Sequence, residues 1–133
     1  MINISINQKA RLEKQMKTED VLLFSELSLD KNPIHLDNIY AHNTIFKEKI
    51  VHGFLYASLI SAIIANELPG NGSIYKEQNI KFLKPVYHDD IVEAVVIVKD
   101  INYEKKEVLL ETNCYVKNEM VLTGFAKIKN FNL

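Results

Sequence analysis

Asp30-Lys31-Asn32-Pro33-Ile34-His35 holds a carboxylate and an imidazole at a spacing that regular structure would not bring together. On a helix, positions five apart diverge by roughly 140°. On a strand, an odd spacing puts them on opposite faces. Asn32-Pro33 interrupts both patterns: Pro33 has a fixed φ and no N–H, and the residue before a proline is pushed away from the α region. The segment is therefore expected to be an irregular loop in which Asp30 and His35 aim at one point. An acid and an imidazole converging on one water form a minimal acid–base device. Read alone, Asp30 is also a good Asx-turn residue ahead of Asn-Pro, and His35 an ordinary loop histidine.

The chain has 133 residues, 47% hydrophobic and 25% charged, and is expected to form one domain over 1–133. A net charge of −1 argues against nucleic acid or an anionic membrane as partner. Cys114 is the only cysteine, so no intrachain disulfide can form, and its place in a strand-like stretch reads as a small buried apolar residue. The four histidines lack ligand spacing, so no metal is expected. There is no glycine-rich phosphate loop and no nucleophile elbow. Met1–Asn7 lacks the charged and long apolar regions of a secretory leader, which points to the cytoplasm.

The elements that must hold the pair follow from periodicity and punctuation. Lys9 to Met16 reads as a strand. Thr18 offers an N-cap hydroxyl for a helix running to about Ser28, with Glu19 and Asp20 in its first turn. A short helical piece is expected near Asn38 to His42. Ile50 to Asn66 is a 17-residue run without Asp, Glu, Lys or Arg. It is too short and too interrupted by His52, Gly53, Ser58 and Ser61 to suggest a membrane span. From Gly53 to about Leu68 its apolar residues cover the whole circumference, the pattern of a helix buried on all sides. Leu68-Pro69-Gly70-Asn71-Gly72 ends it. Ser73–Val86, Ile91–Ile101, Glu107–Val116 and Glu119–Ile128 read as strands at hairpin spacing. The economical packing is α+β: an antiparallel sheet curled around one helix.

The motif residues carry a resemblance. Asp30-Lys31-Asn32-Pro33-Ile34-His35-Leu36-Asp37, Ile50-Val51-His52-Gly53, Leu68 to Tyr75 and Phe82-Leu83-Lys84-Pro85-Val86 resemble the MaoC-like, (R)-specific enoyl-CoA hydratases over about Gln8 to Lys129. Leu29 departs from the pattern, since many members carry Gly before the Asp. The resemblance implies a hot-dog fold, in which a curved antiparallel sheet wraps one long buried helix. It also implies a homodimer, a coenzyme A thioester substrate, no cofactor, and addition of water to a trans-2-enoyl thioester. Asp30 would be the base and His35 its partner at the water. Gly53, at the start of the buried helix, would stabilise the thioester oxyanion through backbone N–H groups. Asn32 would shape the loop, and His52 would orient it or pack beneath it. The resemblance makes Ser61 the hydroxyl that holds Asp30. Phe54 and Ile64 would border the acyl pocket, together with Tyr56 favouring short or medium chains. Lys81 and Lys84 either meet coenzyme A phosphates or line a solvated strand face. His42 and His88 lie in polar surroundings and read as exposed. Two other readings fit the residues: a hot-dog thioesterase, and a silent thioester-binding subunit.

Overall fold

The computed structural model describes residues Met1–Leu133. Strand β1 (Lys9–Gln15) is followed by helices α1 (Thr18–Ser28), α2 (Pro33–Leu36), α3 (Asn38–His42) and α4 (Gly53–Asn66). Strands β2 (Ser73–Gln78), β3 (Lys81–Phe82), β4 (Ile91–Asn102), β5 (Glu107–Val116) and β6 (Glu119–Asn130) complete the chain. All pairings are antiparallel, in the order β1-β4-β5-β6-β2, with β3 also on β6. The β4–β5 and β5–β6 connections are hairpins, as the turn residues require.

Alternation places Val92, Ala94, Val96 and Val98 of β4 on the buried face, joined by Val108, Leu110 and Cys114 of β5 and Leu122, Ala126 and Ile128 of β6. Against them α4 buries Tyr56, Leu59, Ile60, Ile63 and Ile64. Each large apolar side chain taken from water there contributes roughly 1.5–3 kcal/mol, so α4 is held by the sheet more than by its own helix propensity.

Several expectations are corrected. The helix is not buried on all sides: Phe54, Ser58, Ser61 and Ala65, spaced at helical intervals, are exposed in the protomer. It ends at Asn66, two residues before Leu68. Lys17, not Thr18, is the N-cap of α1; its N–H donates to the Asp20 carboxylate (3.0 Å). The stretch from Ser73 to Val86 is two strands, because Asn79 interrupts it. Asn79 N–H donates to Phe125 O, and Asn79 Oδ1 accepts from Phe125 N–H. A side chain thus replaces a backbone rung of the ladder. Gly124 makes room: a Cβ there would lie 1.9 Å from the Asn79 carbonyl oxygen.

The loop after α1 starts from a strained point. Leu29, the C-cap, has φ 68° and ψ 6°, in the left-handed region, and its side chain is 78% exposed. An L-residue there costs about 1–2 kcal/mol. Glycine removes that cost but loses about 0.5–1 kcal/mol more chain entropy on folding. Leu29→Gly is therefore expected to raise stability by about 0.5–1 kcal/mol in urea unfolding; a lower midpoint would show that the Leu29 side chain makes a stabilising contact.

Candidate active site

Two Asx turns shape the loop. Asp30 Oδ1 accepts from Asn32 N–H (3.3 Å), and Asn32 Oδ1 accepts from Ile34 N–H (3.2 Å), capping α2. With Pro33 at its first position, α2 needs no donor there. The turn geometry that Asp30 suggested on its own is therefore present, and it engages Oδ1 while leaving Oδ2 for another donor. His35 sits in the single turn of α2, buried, where α2 meets the strand-like Ile50-Val51 segment that leads into α4.

Three imidazoles then tie the loop to its neighbours, and each is bonded to a backbone carbonyl. His35 Nδ1 lies 2.8 Å from Ile50 O. His52 Nε2 lies 3.0 Å from Asp30 O and 3.1 Å from Ser25 Oγ. His88 Nε2 lies 3.2 Å from His35 O, and its Nδ1 lies 3.1 Å from Thr18 Oγ1. A carbonyl only accepts, so the facing nitrogen must carry the hydrogen. Neutral His35 is therefore protonated on Nδ1 and presents a bare Nε2, while neutral His88 accepts the Thr18 hydroxyl at Nδ1.

The carbonyls of both Asp30 and His35 are thus held by other histidines. Polar side-chain atoms of Asp30, His35 and His52 come within 4.8 Å of one another. The His35 and His52 rings stack, with centroids 3.8 Å apart and planes at 26°. That arrangement suits a metal poorly. One nitrogen of each ring is already committed to a carbonyl, and lone pairs of stacked rings run in near-parallel planes, not toward one point.

His35 and Gly53 line one cavity of about 370 Å³ with Phe54, Tyr56, Phe82 and Lys84. Asp30 is exposed beside it and is not among its lining residues. Gly53 is the first residue of α4, where backbone N–H groups have no intrahelical acceptor. A Cβ on Gly53 would lie 2.4 Å from Phe82 Cε1, so the small residue also leaves space for that ring. Burial raises the Tyr56 hydroxyl to about 12, which keeps it protonated. A second, more polar cleft of about 570 Å³, lined by His42, Lys47, Lys49 and His88 among others, shares no residue with the first.

The other candidates fall in different places. Within the protomer no hydrogen bond joins Ser61 to Asp30; Ser61 lies on the exposed side of α4. Ser58 Oγ donates to Leu55 O, three residues back. Phe54 borders the cavity, whereas Ile64 lies in the core beneath it, away from the cavity wall. Lys84 reaches the cavity and pairs with Glu119, while Lys81 is exposed on β3 and does not line it. His42 is exposed, but His88 is half-buried, contrary to its polar sequence surroundings. Sequence reasoning also passed over Ser25, which is buried under His52.

The fold is an α+β arrangement in which Asp30, His35 and His52 gather beside the amino end of the central helix. Residues 3–120 match the MaoC like domain family, and the chain belongs to that family. It is 42% identical over 126 residues to an (R)-specific enoyl-CoA hydratase of Rhodospirillum rubrum, covering 95% of this chain and 88% of that protein. It is also similar to the solved (R)-hydratase of Aeromonas caviae (TM-score 0.93, 40% identity, covering 96% of this chain and 97% of that one). A third relative is the R-hydratase of Pseudomonas aeruginosa (TM-score 0.90, 38% identity, covering 96% and 82%). The hot-dog fold implied by the motif residues is the fold of these neighbours.

His52 gives the site a pH signature in stability. Burial holds its pKa below the ordinary 6.5, and the His35 charge pushes the same way, against the Asp30 carbonyl and carboxylate. The folded state then resists a proton that the unfolded chain takes up, so stability is lost as pH falls through the unfolded value. Unfolding free energy is therefore expected to fall as pH drops through about 6.5, the ordinary imidazole value. His52→Gln should show a flatter dependence in urea titrations; equal slopes would contradict the assignment.

Proposed function

We propose that the protein is an (R)-specific enoyl-CoA hydratase that adds water reversibly to a trans-2-enoyl-CoA, giving an (R)-3-hydroxyacyl-CoA. The observation that carries the mechanism is the meeting of two acceptors. Ionised Asp30 can only accept, and His35, with its hydrogen committed to Ile50 O, presents an accepting Nε2. A water donating one hydrogen to each turns a lone pair toward the substrate. As its oxygen bonds to C3, the pair takes up one water proton and a proton is delivered to the α-carbon, so the sum is addition of H₂O. Asp30 acts as the base and His35 positions the water.

The thioester oxygen gains negative charge as the enolate develops. The N–H groups at the start of α4 and the positive end of the helix dipole suit that charge, and Gly53 lets the thioester approach the backbone. The apolar cavity wall at Phe54 and Phe82 would then hold the substrate. Lys84 stands at the cavity for a coenzyme A phosphate, at the expense of its pairing with Glu119.

The working form is a homodimer in the cytoplasm. The exposed face of α4, with Phe54 at 70% exposure, and the exposed Ile74 and Tyr75 on edge strand β2 support the dimer.

Asp30→Asn and His35→Gln are each expected to lower the rate of crotonyl-CoA hydration by about 10²–10⁴-fold. The loss is read from the absorbance of the conjugated enoyl thioester, with circular dichroism confirming the fold. Chiral analysis should give the (R) product, and a thiol reagent should detect no release of coenzyme A. Near-native rates in both variants would remove the mechanism.

A further inference from the structure

We propose that His52 is the positioning residue that sets Asp30 and His35 against one another, and that it does so as the neutral imidazole protonated on Nε2. The inference deepens the hydratase reading and rests on it. His52 is 2% exposed and directly precedes the oxyanion glycine. It has a separate contact with each half of the pair: Nε2 to the Asp30 carbonyl at 3.0 Å, and a ring face on His35 at 3.8 Å. On its other side Phe24 meets the ring edge-on at 4.9 Å. One rigid plate therefore fixes both the backbone of the acid and the plane of the imidazole.

The second observation is an orphan. His52 Nδ1 is buried and has no hydrogen-bond partner. Phenylalanine would fill much the same volume and stack on His35 without an orphan nitrogen of its own, but it would offer no donor to the Asp30 carbonyl and no partner to Ser25 Oγ. Packing alone therefore does not account for an imidazole; the Nε2–H donor does. Once Nε2 carries the hydrogen, a neutral ring must leave Nδ1 bare, and the orphan is the mark of that tautomer. Protonating Nδ1 would put an N–H where no acceptor waits and a positive charge against the His35 ring. The titratable groups facing His52 are Asp30 from the loop and His35 from α2, while α1 supplies only Phe24 and Ser25. Staying neutral, His52 leaves the single mobile proton to Asp30 and His35.

Three substitutions separate the contacts. His52→Gln keeps an N–H donor but loses the ring, His52→Phe keeps the ring but loses the donor, and His52→Ala loses both. Displacing a reacting group by about 1 Å costs on the order of 100-fold, so His52→Phe is expected to lower kcat about 100-fold with KM little changed. His52→Gln should recover much of that loss, and His52→Ala should match or exceed it. Nitrogen-15 NMR of the wild-type imidazoles should find His52 with hydrogen on Nε2 and a bare Nδ1 at neutral pH. In His52→Phe the His35 ring signals should shift.

Wild-type kcat in folded His52→Phe, a hydrogen on His52 Nδ1 at neutral pH, or unmoved His35 signals would each overturn the proposal. The NMR readouts do not depend on turnover. A wild-type protein that hydrates no enoyl-CoA would overturn the functional reading, while the spectra would still decide whether His52 holds the pair.

Discussion

Backbone carbonyls near a protein core must find donors, and here that requirement organises the active site. The loop carrying Asp30 and His35 is too short and too interrupted by Pro33 to satisfy itself with a ladder of its own. Its own side chains supply acceptors for the N–H groups of Asn32 and Ile34. The carbonyls of Asp30 and His35 need donors from elsewhere. His52, at the head of α4, serves the first and His88, from the turn before β4, serves the second. The loop is thereby tied to both layers of the fold, and the distance between acid and imidazole is set by α4 and the sheet.

The same carbonyls decide the chemistry. An imidazole beside a carbonyl has no choice of tautomer, and His35 bonds Ile50 O through Nδ1. Its free nitrogen is then an acceptor while the ring is neutral, matching the acceptor character of a carboxylate. A pair of acceptors can orient a water as nucleophile; an acid–donor pair would tie that water up. The tautomer of His35 is thus set by a backbone contact on the far side of the ring from its free nitrogen. His52 adds a constraint, because its ring stacks on His35 and a positive charge on it would lie directly against that imidazole.

Much of this was legible in residue order, and what was missed is of one kind. The turns at Asp30 and Asn32, the glycine at the start of α4 and the hairpin strands all follow from rules acting over a few residues, whereas Pro33, expected to keep 30–35 irregular, opens the one-turn helix α2 that carries His35. Tertiary partners were not readable in this way. His88 lies 53 residues from His35, in a stretch with Asp89 and Asp90 that reads as a solvated turn, yet Thr18 and the His35 carbonyl enclose it. Ser25 looked like an ordinary helix serine and is buried under His52. The break at Asn79 depends on an amide side chain substituting for a backbone rung opposite Gly124, which strand periodicity does not record. For α4, composition announced burial on every side. The protomer covers only the face turned to the sheet, because hydrophobicity reports that a surface is covered without reporting by what.

Gly53 shows why the oxyanion end of the site and the cavity wall cannot be tuned independently. The Cβ that Gly53 lacks at the start of α4 leaves the space that the Phe82 ring occupies, where a methyl group would meet it at 2.4 Å. Phe82 in turn lies edge-on to Phe54 and to Tyr56, with centroids 5.9 and 6.2 Å away. A side chain at position 53 would displace Phe82 from that aromatic cluster and with it one wall of the cavity. The helix start proposed to stabilise charge and the aromatic wall of the cavity therefore depend on the same missing atom.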